Sequence, residues 1–371
     1  MMMNDKMIYV HIPFCDSKCF YCDFVSGKFN EQIKSQYIDA LKKEITECNG
    51  NNQSISSIFI GGGTPSSINK QYIQQIIECI KQNFNVLQNA EITIEANPCS
   101  VSLDKLVEYK KCGINRISFG VQSLDDSLLN TIGRRHNKQQ ALDAISMAKQ
   151  AGFFNINCDV LIGIPGQTYE QLYDTVQSLI KSGIVHISCY MLINEPNTTL
   201  TNKIQSGELK QVEDDLCVNW YNQICDFLNK NGFARYEVSN FCKKGFECKH
   251  NLGYWNLQQY YGFGVAAHSY IDGFRWANAS DLNKYFAGDY CINKEKLSSV
   301  DIVEEKLMLG LRLADGVDIS ELNQLGYDIL KDKKQEIDLL KKQGVIEIDN
   351  NIKIGSKFFG VGDNITLKLL P

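Results

Sequence analysis

The sequence has no excess of positive charge, no long apolar run and no recognisable export signal. Its 371 residues carry 38 Lys and Arg against 43 Asp and Glu, a net charge of −5, so the charge balance does not favour binding to nucleic acid or anionic lipid. No apolar stretch approaches the roughly 18–20 residues needed to span a bilayer. The first residues, MMMNDKMIYVHIPFC, lack the charged region, apolar core and cleavage site of a signal peptide. We therefore expect a cytoplasmic protein that has no transmembrane segment and does not bind nucleic acid.

Cysteine, in contrast, is abundant, and its arrangement is uneven. Most of the 14 cysteines stand singly among apolar or helical residues, as expected of small buried side chains. The exception is HIPFCDSKCFYCDF, residues 11–24, in which Cys15, Cys19 and Cys22 have the spacing C-x3-C-x2-C. In a reducing compartment, a metal centre explains such a cluster better than disulfides do.

Two kinds of metal centre fit this spacing. A structural zinc ion would need a fourth ligand, for which His11 is the candidate. A [4Fe–4S] cluster held by three thiolates would leave one iron open, and that iron could chelate the amine and carboxylate of S-adenosylmethionine (SAM). The pattern, with Tyr21 before the last cysteine, is typical of the radical SAM superfamily. We favour the iron–sulfur interpretation and keep zinc as the alternative.

Strand-like and helix-like segments alternate over the first 200 residues. The β-rich runs are MIYVHI (7–12), SISSIFI (54–60), AEITIEA (90–96), NRISFG (115–120), FNINCDVLIGI (154–164) and VHISCYML (185–192). Strands that alternate with helices indicate βαβ units around a parallel sheet. We expect an α/β protein with a partial (β/α)6 barrel. A doubly wound sheet is the alternative, because periodicity does not fix strand order.

The expected division of the chain has three parts. Residues 1–200 form the barrel, and residues 201–295 form a connecting region that contains the segment KHNLGYW. Residues 296–371 read as helices followed by two short strands, which is the order of a small winged-helix-like domain.

Polar motifs follow the predicted strands at their carboxyl ends. The glycine run in GGGTPS (61–66) exposes backbone amides that suit an anion or an amino-acid moiety. Glu95, Gln122 and Asp159 lie at or near the ends of the third, fourth and fifth strands. Arg134, in the helical stretch after the fourth strand, suits a bidentate contact with a carboxylate. Because barrel enzymes place their chemistry on this rim, we expect these residues to form one site.

These motifs together resemble the oxygen-independent coproporphyrinogen III oxidase family. The resemblance rests on YVHIPFC-x3-C-x2-C, GGGTPS, IEANP, RISFGVQS, IGRRH, DVLIGIPGQT and SCYMLINEPNT, which occur in the expected order. It implies that Cys15, Cys19 and Cys22 hold a [4Fe–4S] cluster, which would reduce SAM to methionine and a 5′-deoxyadenosyl radical. The residues it implies around SAM are Tyr9, Tyr21, Gly61, Gly62, Gly63, Thr64, Glu95, Gln122, Arg134 and Asp159.

Two departures favour the heme chaperone (HemW) branch of this family. Coproporphyrinogen dehydrogenases typically have a further cysteine two residues after the third, where this chain has Phe24. They also have an N-terminal extension, whereas here only residues 1–14 precede the cluster. The motif H-N-x-x-Y-W at residues 250–255 and the segment VEEKLMLGLRLADGVDI also resemble that branch.

The resemblance thus implies a protein that binds the cluster, SAM and heme and passes heme to an acceptor protein. It also implies an electron donor for the cluster and is compatible with a homodimer. The alternative function is radical oxidative decarboxylation of coproporphyrinogen III in porphyrin biosynthesis. No catalytic residue is predicted.

His250 is the candidate heme ligand, because imidazole commonly ligates heme iron and aromatic side chains wall such sites. The alternative is a packed, hydrogen-bonded histidine at a domain edge. The pair Cys242 and Cys248 is either a second ligand set or two inert cysteines on surface loops.

Overall fold

Six parallel strands, side by side in chain order, form the centre of the fold. The computed structural model describes residues 5–48, 50 and 52–371. Residues 1–4, the start of the segment examined for an export signal, lie outside the described residues. The strands are β1 (Lys6–Ile12), β2 (Ser54–Gly62), β3 (Asn85–Ala96), β4 (Arg116–Gln122), β5 (Asn155–Ile162) and β6 (His186–Met191). Each of the six predicted runs is a strand, and β3 begins earlier than its run.

The unbroken order from β1 to β6 decides between the two predicted architectures. In a doubly wound sheet the strand order reverses, so that helices cover both faces. Here every connection steps in the same direction, and right-handed crossovers then place all the helices on one face. The prediction of a partial (β/α)6 barrel is confirmed, and the doubly wound alternative is wrong. The helices are α1 (Glu31–Glu47), α2 (Lys70–Asn83), α3 (Leu103–Lys111), α4 (Asp126–Thr131), α5 (Lys138–Gln150) and α6 (Tyr169–Lys181).

The sequence specifies where these helices begin. The side chain of Asn30 accepts a hydrogen bond from the backbone N–H of Ile33 at the start of α1. Helices α5 and α6 begin with complete capping boxes, in which Asn137 and Thr168 are the N-cap residues. Such caps satisfy backbone N–H groups that have no partner within the helix.

The two faces of the barrel strands differ in chemistry. Along β2, Ile58 and Ile60 are fully buried in the apolar core. Ser57 and Phe59 point to the other face, the barrel interior, where both contact His250. This alternation follows from the period of two in a strand. The apolar face stabilises the fold, and the polar face supplies the interior with side chains that can form a site.

The connecting region extends the barrel sheet at both edges. The elements are α7 (Thr199–Gln205), α8 (Asp214–Lys230), β7 (Ala234–Arg235), β8 (Asn240–Cys242), α9 (Lys249–Trp255), β9 (Tyr260–Phe263), β10 (His268–Ile271), β11 (Phe274–Ala277), α10 (Leu282–Phe286) and β12 (Ile292–Lys296). Strand β8 pairs antiparallel with β6, and β9 pairs parallel with β1. Strands β10 to β12 continue beyond β9 as antiparallel strands.

The last part of the chain contains helices, then an antiparallel hairpin, then a final helix. Its elements are α11 (Ser299–Gly310), β13 (Val317–Asp318), α12 (Ile319–Gln324), α13 (Ile329–Asp332), α14 (Lys334–Lys342), β14 (Ile346–Ile348), β15 (Asn351–Ile354) and α15 (Gly362–Leu369). The guanidinium of Arg235 lies 3.7 Å from the ring centroid of Phe359 and so joins this part to the connecting region. Among the described residues, no helix is both long and apolar enough to cross a membrane.

Candidate functional site

The loop that carries the three cysteines follows β1 and is held at its base by backbone hydrogen bonds. The N–H of Cys15 donates to the carbonyl oxygen of Gly27 (2.9 Å), and the N–H of Gly27 donates to that of Pro13 (2.9 Å). Further along, the N–H of Phe20 donates to Ile132, just after α4 (3.0 Å). All three cysteines are half-buried and free. The loop therefore presents its thiols at the carboxyl end of the barrel.

Residues predicted from two distant motifs contact these thiols. The hydroxyl oxygen of Thr64 lies 3.4 Å from the sulfur of Cys15. Nη1 of Arg134 donates to the sulfur of Cys19 at 3.3 Å. The loop after β2 lies alongside the cysteine loop, because the N–H of Thr64 donates to the carbonyl oxygen of Phe14 (2.7 Å). The fold thus brings the predicted cluster ligands and predicted SAM contacts together.

The glycine run is required by close packing at this point. A Cβ atom on Gly61 would lie 2.9 Å from Oε2 of Glu95. Gly62 has a φ of +108°, and a Cβ there would lie 2.6 Å from the ring of His11. The N–H of Gly62 donates to Oε2 of Glu95 at 3.2 Å. Side chains at these positions would fill the space beside Glu95, so only glycine leaves the backbone accessible to a ligand.

The carboxyl groups of Glu95 and Asp159 both lie in the barrel interior, near the cysteine loop. Burial, with a further contribution from Asp159, raises the pKa of Glu95 to about 8. Burial also raises the pKa of Asp159, which accepts hydrogen bonds from Asn157 (2.7 Å) and Ser118 (3.4 Å). Carboxylates enclosed in this way favour a ligand that brings hydroxyl donors or positive charge. The sugar hydroxyls, ammonium and sulfonium of SAM fit that requirement.

Arg134 supplies the complementary positive charge. Besides its contact with Cys19, the guanidinium donates through Nη2 to the carbonyl oxygen of Gly120. Its Nε is buried and has no hydrogen-bond partner among the described residues. An N–H in this state suits a carboxylate ligand.

The remaining predicted SAM residues lie on the same rim. The hydroxyl of Tyr9 is 3.1 Å from Nδ1 of His11. Tyr21 packs on a small apolar cluster at the outer end of β5 and α4. Gln122 has a φ of +66°, and its side-chain oxygen is 3.4 Å from the hydroxyl of Tyr190. A non-glycine residue in the left-handed region costs energy, and such strain often accompanies a functional site.

His11 has a different role from the zinc ligand considered in the sequence. Its Nε2 lies 2.9 Å from the carbonyl oxygen of Val25, and its Nδ1 contacts Tyr9, so both ring nitrogens are engaged. Among the described residues, no three His, Cys, Asp or Glu side chains converge on one ion position. A [4Fe–4S] cluster does not need that convergence, because each thiolate binds a different iron. The donor arrangement fits the cluster better than zinc, and His11 instead joins the cysteine loop to Tyr9.

Comparison with known proteins places the chain in a family. Residues 9–179 match the Radical SAM superfamily, and residues 297–352 match the HemN C-terminal domain. The chain is 34% identical to heme chaperone HemW of Lactococcus lactis, over 100% of this chain and 98% of that protein. It is 33% identical to heme chaperone HemW of Bacillus subtilis, over 96% of this chain and 98% of that protein. The chain belongs to the HemW family.

A solved structure shows the same fold in a relative of this HemW-family chain. Coproporphyrinogen III oxidase (HemN) from Escherichia coli, a radical SAM enzyme, matches with a TM-score of 0.86. The match covers 99% of this chain and 90% of that enzyme, at 23% sequence identity. At that identity the comparison concerns the fold alone.

The histidine of the HNxxYW motif lies inside the barrel. His250 is 1% exposed inside the barrel, and its Nδ1 is 2.9 Å from the hydroxyl of Ser57. Its ring packs against Phe59 and Tyr254, with centroids 5.2 and 4.8 Å away. Burial lowers its pKa to about 3, which keeps the ring neutral. The enclosed ring favours the packed, hydrogen-bonded alternative. Its Nε2 has no hydrogen-bond partner among the described residues, and heme ligation by His250 stays a prediction.

The two nearby cysteines are also buried, not on surface loops. Cys242 is 1% exposed in β8, and Cys248 is fully buried at the start of α9. The carboxylate of Glu91 accepts from the thiol of Cys248 (3.4 Å) and from the backbone N–H groups of Lys249 and His250 (both 3.2 Å). Glu91 therefore caps α9 and holds the HNxxYW segment against the barrel strands.

Phe24 is the residue that, by the resemblance, distinguishes this chain from the dehydrogenases. Its side chain is 65% exposed on the cysteine loop. It therefore lies at the surface of the loop, two residues beyond Cys22.

Proposed function

We propose that this protein is a heme chaperone of the HemW type. It binds a [4Fe–4S] cluster through Cys15, Cys19 and Cys22, binds SAM at the mouth of the barrel, and binds heme for transfer to an acceptor protein. The observation that carries the proposal is the contact of Arg134 with Cys19, since it brings a SAM residue to a cluster ligand. The names of the curated relatives support the heme function.

The residues at the barrel mouth fit SAM in its separate parts. The guanidinium of Arg134 would bind the carboxylate, and Glu95 and Asp159 would accept from the ribose hydroxyls or the ammonium. The exposed backbone of Gly62 would lie along the methionine part. When bound, a reduced cluster with an open iron supplies the electron for reductive cleavage of SAM. This requires an electron donor, which is a further proposed partner.

A cavity beside the barrel mouth is the proposed place for heme. It measures about 510 Å³, within the range of roughly 300–1,000 Å³ for ligand pockets. Its walls include Met191, Ile193 and Val361, and the thiol-bearing Cys217 also lines it. Thioether and thiolate sulfur both ligate heme iron in proteins. Because Asp214 also lines the cavity, the heme propionates are expected to point away from it.

The test of the function is anaerobic reconstitution followed by titration with hemin. We expect the broad visible absorption of an iron–sulfur cluster and saturable binding of one heme per chain. The heme should then move to apomyoglobin, which serves as a generic acceptor. If the reconstituted protein did not bind hemin, the proposed chaperone function would be contradicted.

Coproporphyrinogen dehydrogenation is the second candidate, and the shared fold with the Escherichia coli oxidase is the observation in its favour. Phe24 stands where those enzymes have a cysteine, which argues against it. Anaerobic incubation with coproporphyrinogen III, SAM and a reductant separates the two functions. We expect no protoporphyrinogen IX; robust product formation would favour the dehydrogenase.

A further inference from the structure

A continuous line of hydrogen bonds runs from Asp159 through the barrel interior to the connecting region. Nδ2 of Asn157 donates to Oδ1 of Asp159 at 2.7 Å. Oδ1 of Asn157 lies 2.6 Å from Nδ1 of His186. Nε2 of His186 lies 2.8 Å from the hydroxyl of Tyr236, which accepts from the backbone N–H of Cys248 at 3.2 Å.

The chemistry of these groups fixes the direction of every bond in the line. The carboxylate oxygen of Asp159 can only accept, so the NH2 group of Asn157 faces it; the amide oxygen of Asn157 then faces His186, whose Nδ1 must carry the proton. Burial lowers the pKa of His186 well below its usual value, with a smaller effect from Arg116, so the ring is neutral. In a neutral ring the other nitrogen accepts. Tyr236 therefore donates to Nε2, and its oxygen remains free to accept from Cys248.

The orientation of the Asn157 amide matters for Asp159. The NH2 group of Asn157 has three acceptors within reach: Asp159, Ser118 (2.7 Å) and Ser188 (3.0 Å). If the amide were turned over, its oxygen would face the carboxylate of Asp159. Its NH2 group would then face the protonated Nδ1 of His186. The protonated Nδ1 thus favours the orientation in which Asn157 donates to Asp159.

We propose that His186 is a positioning residue, which acts through Asn157 to set the carboxylate of Asp159 for binding SAM. Tyr236 fixes the tautomer of His186 and is therefore a second positioning residue in the same line of hydrogen bonds. The inference rests on the proposed function, in which Asp159 contacts SAM. It also gives the HNxxYW segment a role, because α9 begins at the outer end of this line and is connected to the SAM site.

Three variants separate positioning from simple structural support. His186→Leu removes both ring nitrogens, and we expect about a tenfold rise in the SAM dissociation constant, as for loss of a hydrogen bond that orients a charged group. His186→Asn keeps an N–H at the place of Nδ1 and should restore affinity to within about threefold of wild type. Tyr236→Phe should give a rise of about threefold, because the ring can then change tautomer.

The matched control is Tyr221→Phe, which also removes a buried tyrosine hydroxyl. That hydroxyl donates to the carbonyl oxygen of Val238, outside the line (2.5 Å). We expect wild-type SAM affinity for this control. In all variants, the affinity for hemin and the iron content should stay at wild-type values, since loss of the fold would lower both. Nitrogen-15 NMR of the histidine rings should show Nδ1 protonated in wild type and a mixture in Tyr236→Phe.

The outcomes distinguish the inference from the function on which it rests. If wild type binds SAM and His186→Leu binds it equally well, the positioning role is wrong. If His186→Leu does not fold, a His186→Asn variant that folds but loses SAM affinity about tenfold would contradict the role as well. If wild-type protein binds neither SAM nor hemin, the proposed function fails and the inference fails with it.

Discussion

The guanidinium of Arg134 donates to the sulfur of Cys19 at 3.3 Å, across 115 residues of chain. Sequence analysis placed Arg134 in a helical stretch, but it lies in the loop between α4 and α5. The contact joins this loop, which follows the fourth barrel strand, to the loop after the first. It places a fixed positive charge beside a proposed cluster ligand and leaves a buried N–H unpartnered within the described chain. The site is therefore formed by the order of the strands in the partial barrel, and no single motif contains it.

Arg134→Lys should weaken SAM binding while leaving the cluster in place. Lysine keeps the charge but cannot form the paired contact with a carboxylate, so we expect a loss of roughly 10- to 100-fold in SAM affinity. Isothermal titration calorimetry of the reconstituted protein with SAM measures this affinity. The control is Arg135→Lys, whose side chain is exposed and pairs only loosely with Asp16 (3.5 Å). Equal SAM affinity in both variants would contradict the assignment of Arg134.

Gly61→Ala should disturb Glu95 directly. The new methyl group would lie 2.9 Å from Oε2 of Glu95, and overpacking of this kind costs about 1–3 kcal/mol. We expect a lower free energy of unfolding and weaker SAM binding, measured by denaturant titration and calorimetry. Gly362→Ala serves as the control, because it has helical φ and its nearest neighbour is a methyl carbon 3.3 Å away. Wild-type SAM affinity in Gly61→Ala would show that the space beside Glu95 is not part of the SAM site.

The stability of the SAM-free protein should depend on the protonation of Glu95. Its pKa is raised from 4.5 in the unfolded chain to about 8 in the folded protein. The folded state therefore binds more protons across this window, and its free energy of unfolding falls as the pH rises from 4.5 to 8. Glu95→Gln should flatten that part of the profile. Chemical denaturation at several pH values measures this dependence. If the free energy of unfolding of Glu95→Gln changed with pH as steeply as that of wild type, the role of Glu95 would be contradicted.

Replacing His250 should affect stability more than heme binding. His250→Gln disturbs the bond to Ser57 and the packing on Phe59, and we expect a loss of about 1–3 kcal/mol in the free energy of unfolding. Hemin titration should give a dissociation constant within about twofold of wild type. Ser57→Ala, which removes only the partner hydroxyl, should show a smaller loss of stability. If a folded His250→Gln variant no longer bound hemin, the result would indicate that His250 ligates heme.

The cavity at the barrel mouth gives a separate test of where heme binds. Cys217→Ser removes the thiol from the cavity wall, and Val361→Trp fills part of its volume. We expect a changed Soret band for the first and roughly tenfold weaker hemin binding for the second. Cys291→Ser is the control, because that cysteine is exposed outside the cavity lining. Wild-type spectra and affinity in both cavity variants would place heme elsewhere.

Local patterns in the sequence were enough to predict the strands and to select several residues that the fold brings together. Alternating runs gave all six barrel strands, and polar residues at strand ends gave Glu95 and Asp159. Strand order was not available from periodicity, and only the observed pairing excludes the doubly wound sheet. The curved parallel sheet brings the ends of separate strands together, which is why Arg134 reaches Cys19.

The errors concern residues whose environment depends on distant chain segments. Cys242 and Cys248 were judged as cysteines on surface loops, but both are buried, and Glu91 of β3 caps α9 and accepts from the thiol of Cys248. His11 was considered as the fourth ligand of the zinc alternative, and its contact with Tyr9, two residues away on the same face of β1, was not foreseen. The line from Asn157 through His186 to Tyr236 joins three segments, and no local pattern in the sequence reveals it.

Hemin titration of the anaerobically reconstituted protein tests the central claim most directly. The account predicts visible absorption from a cluster held by Cys15, Cys19 and Cys22, together with saturable binding of one heme per chain. That heme should be released to apomyoglobin. Colourless protein after reconstitution, or cluster-loaded protein that binds no hemin, would contradict it.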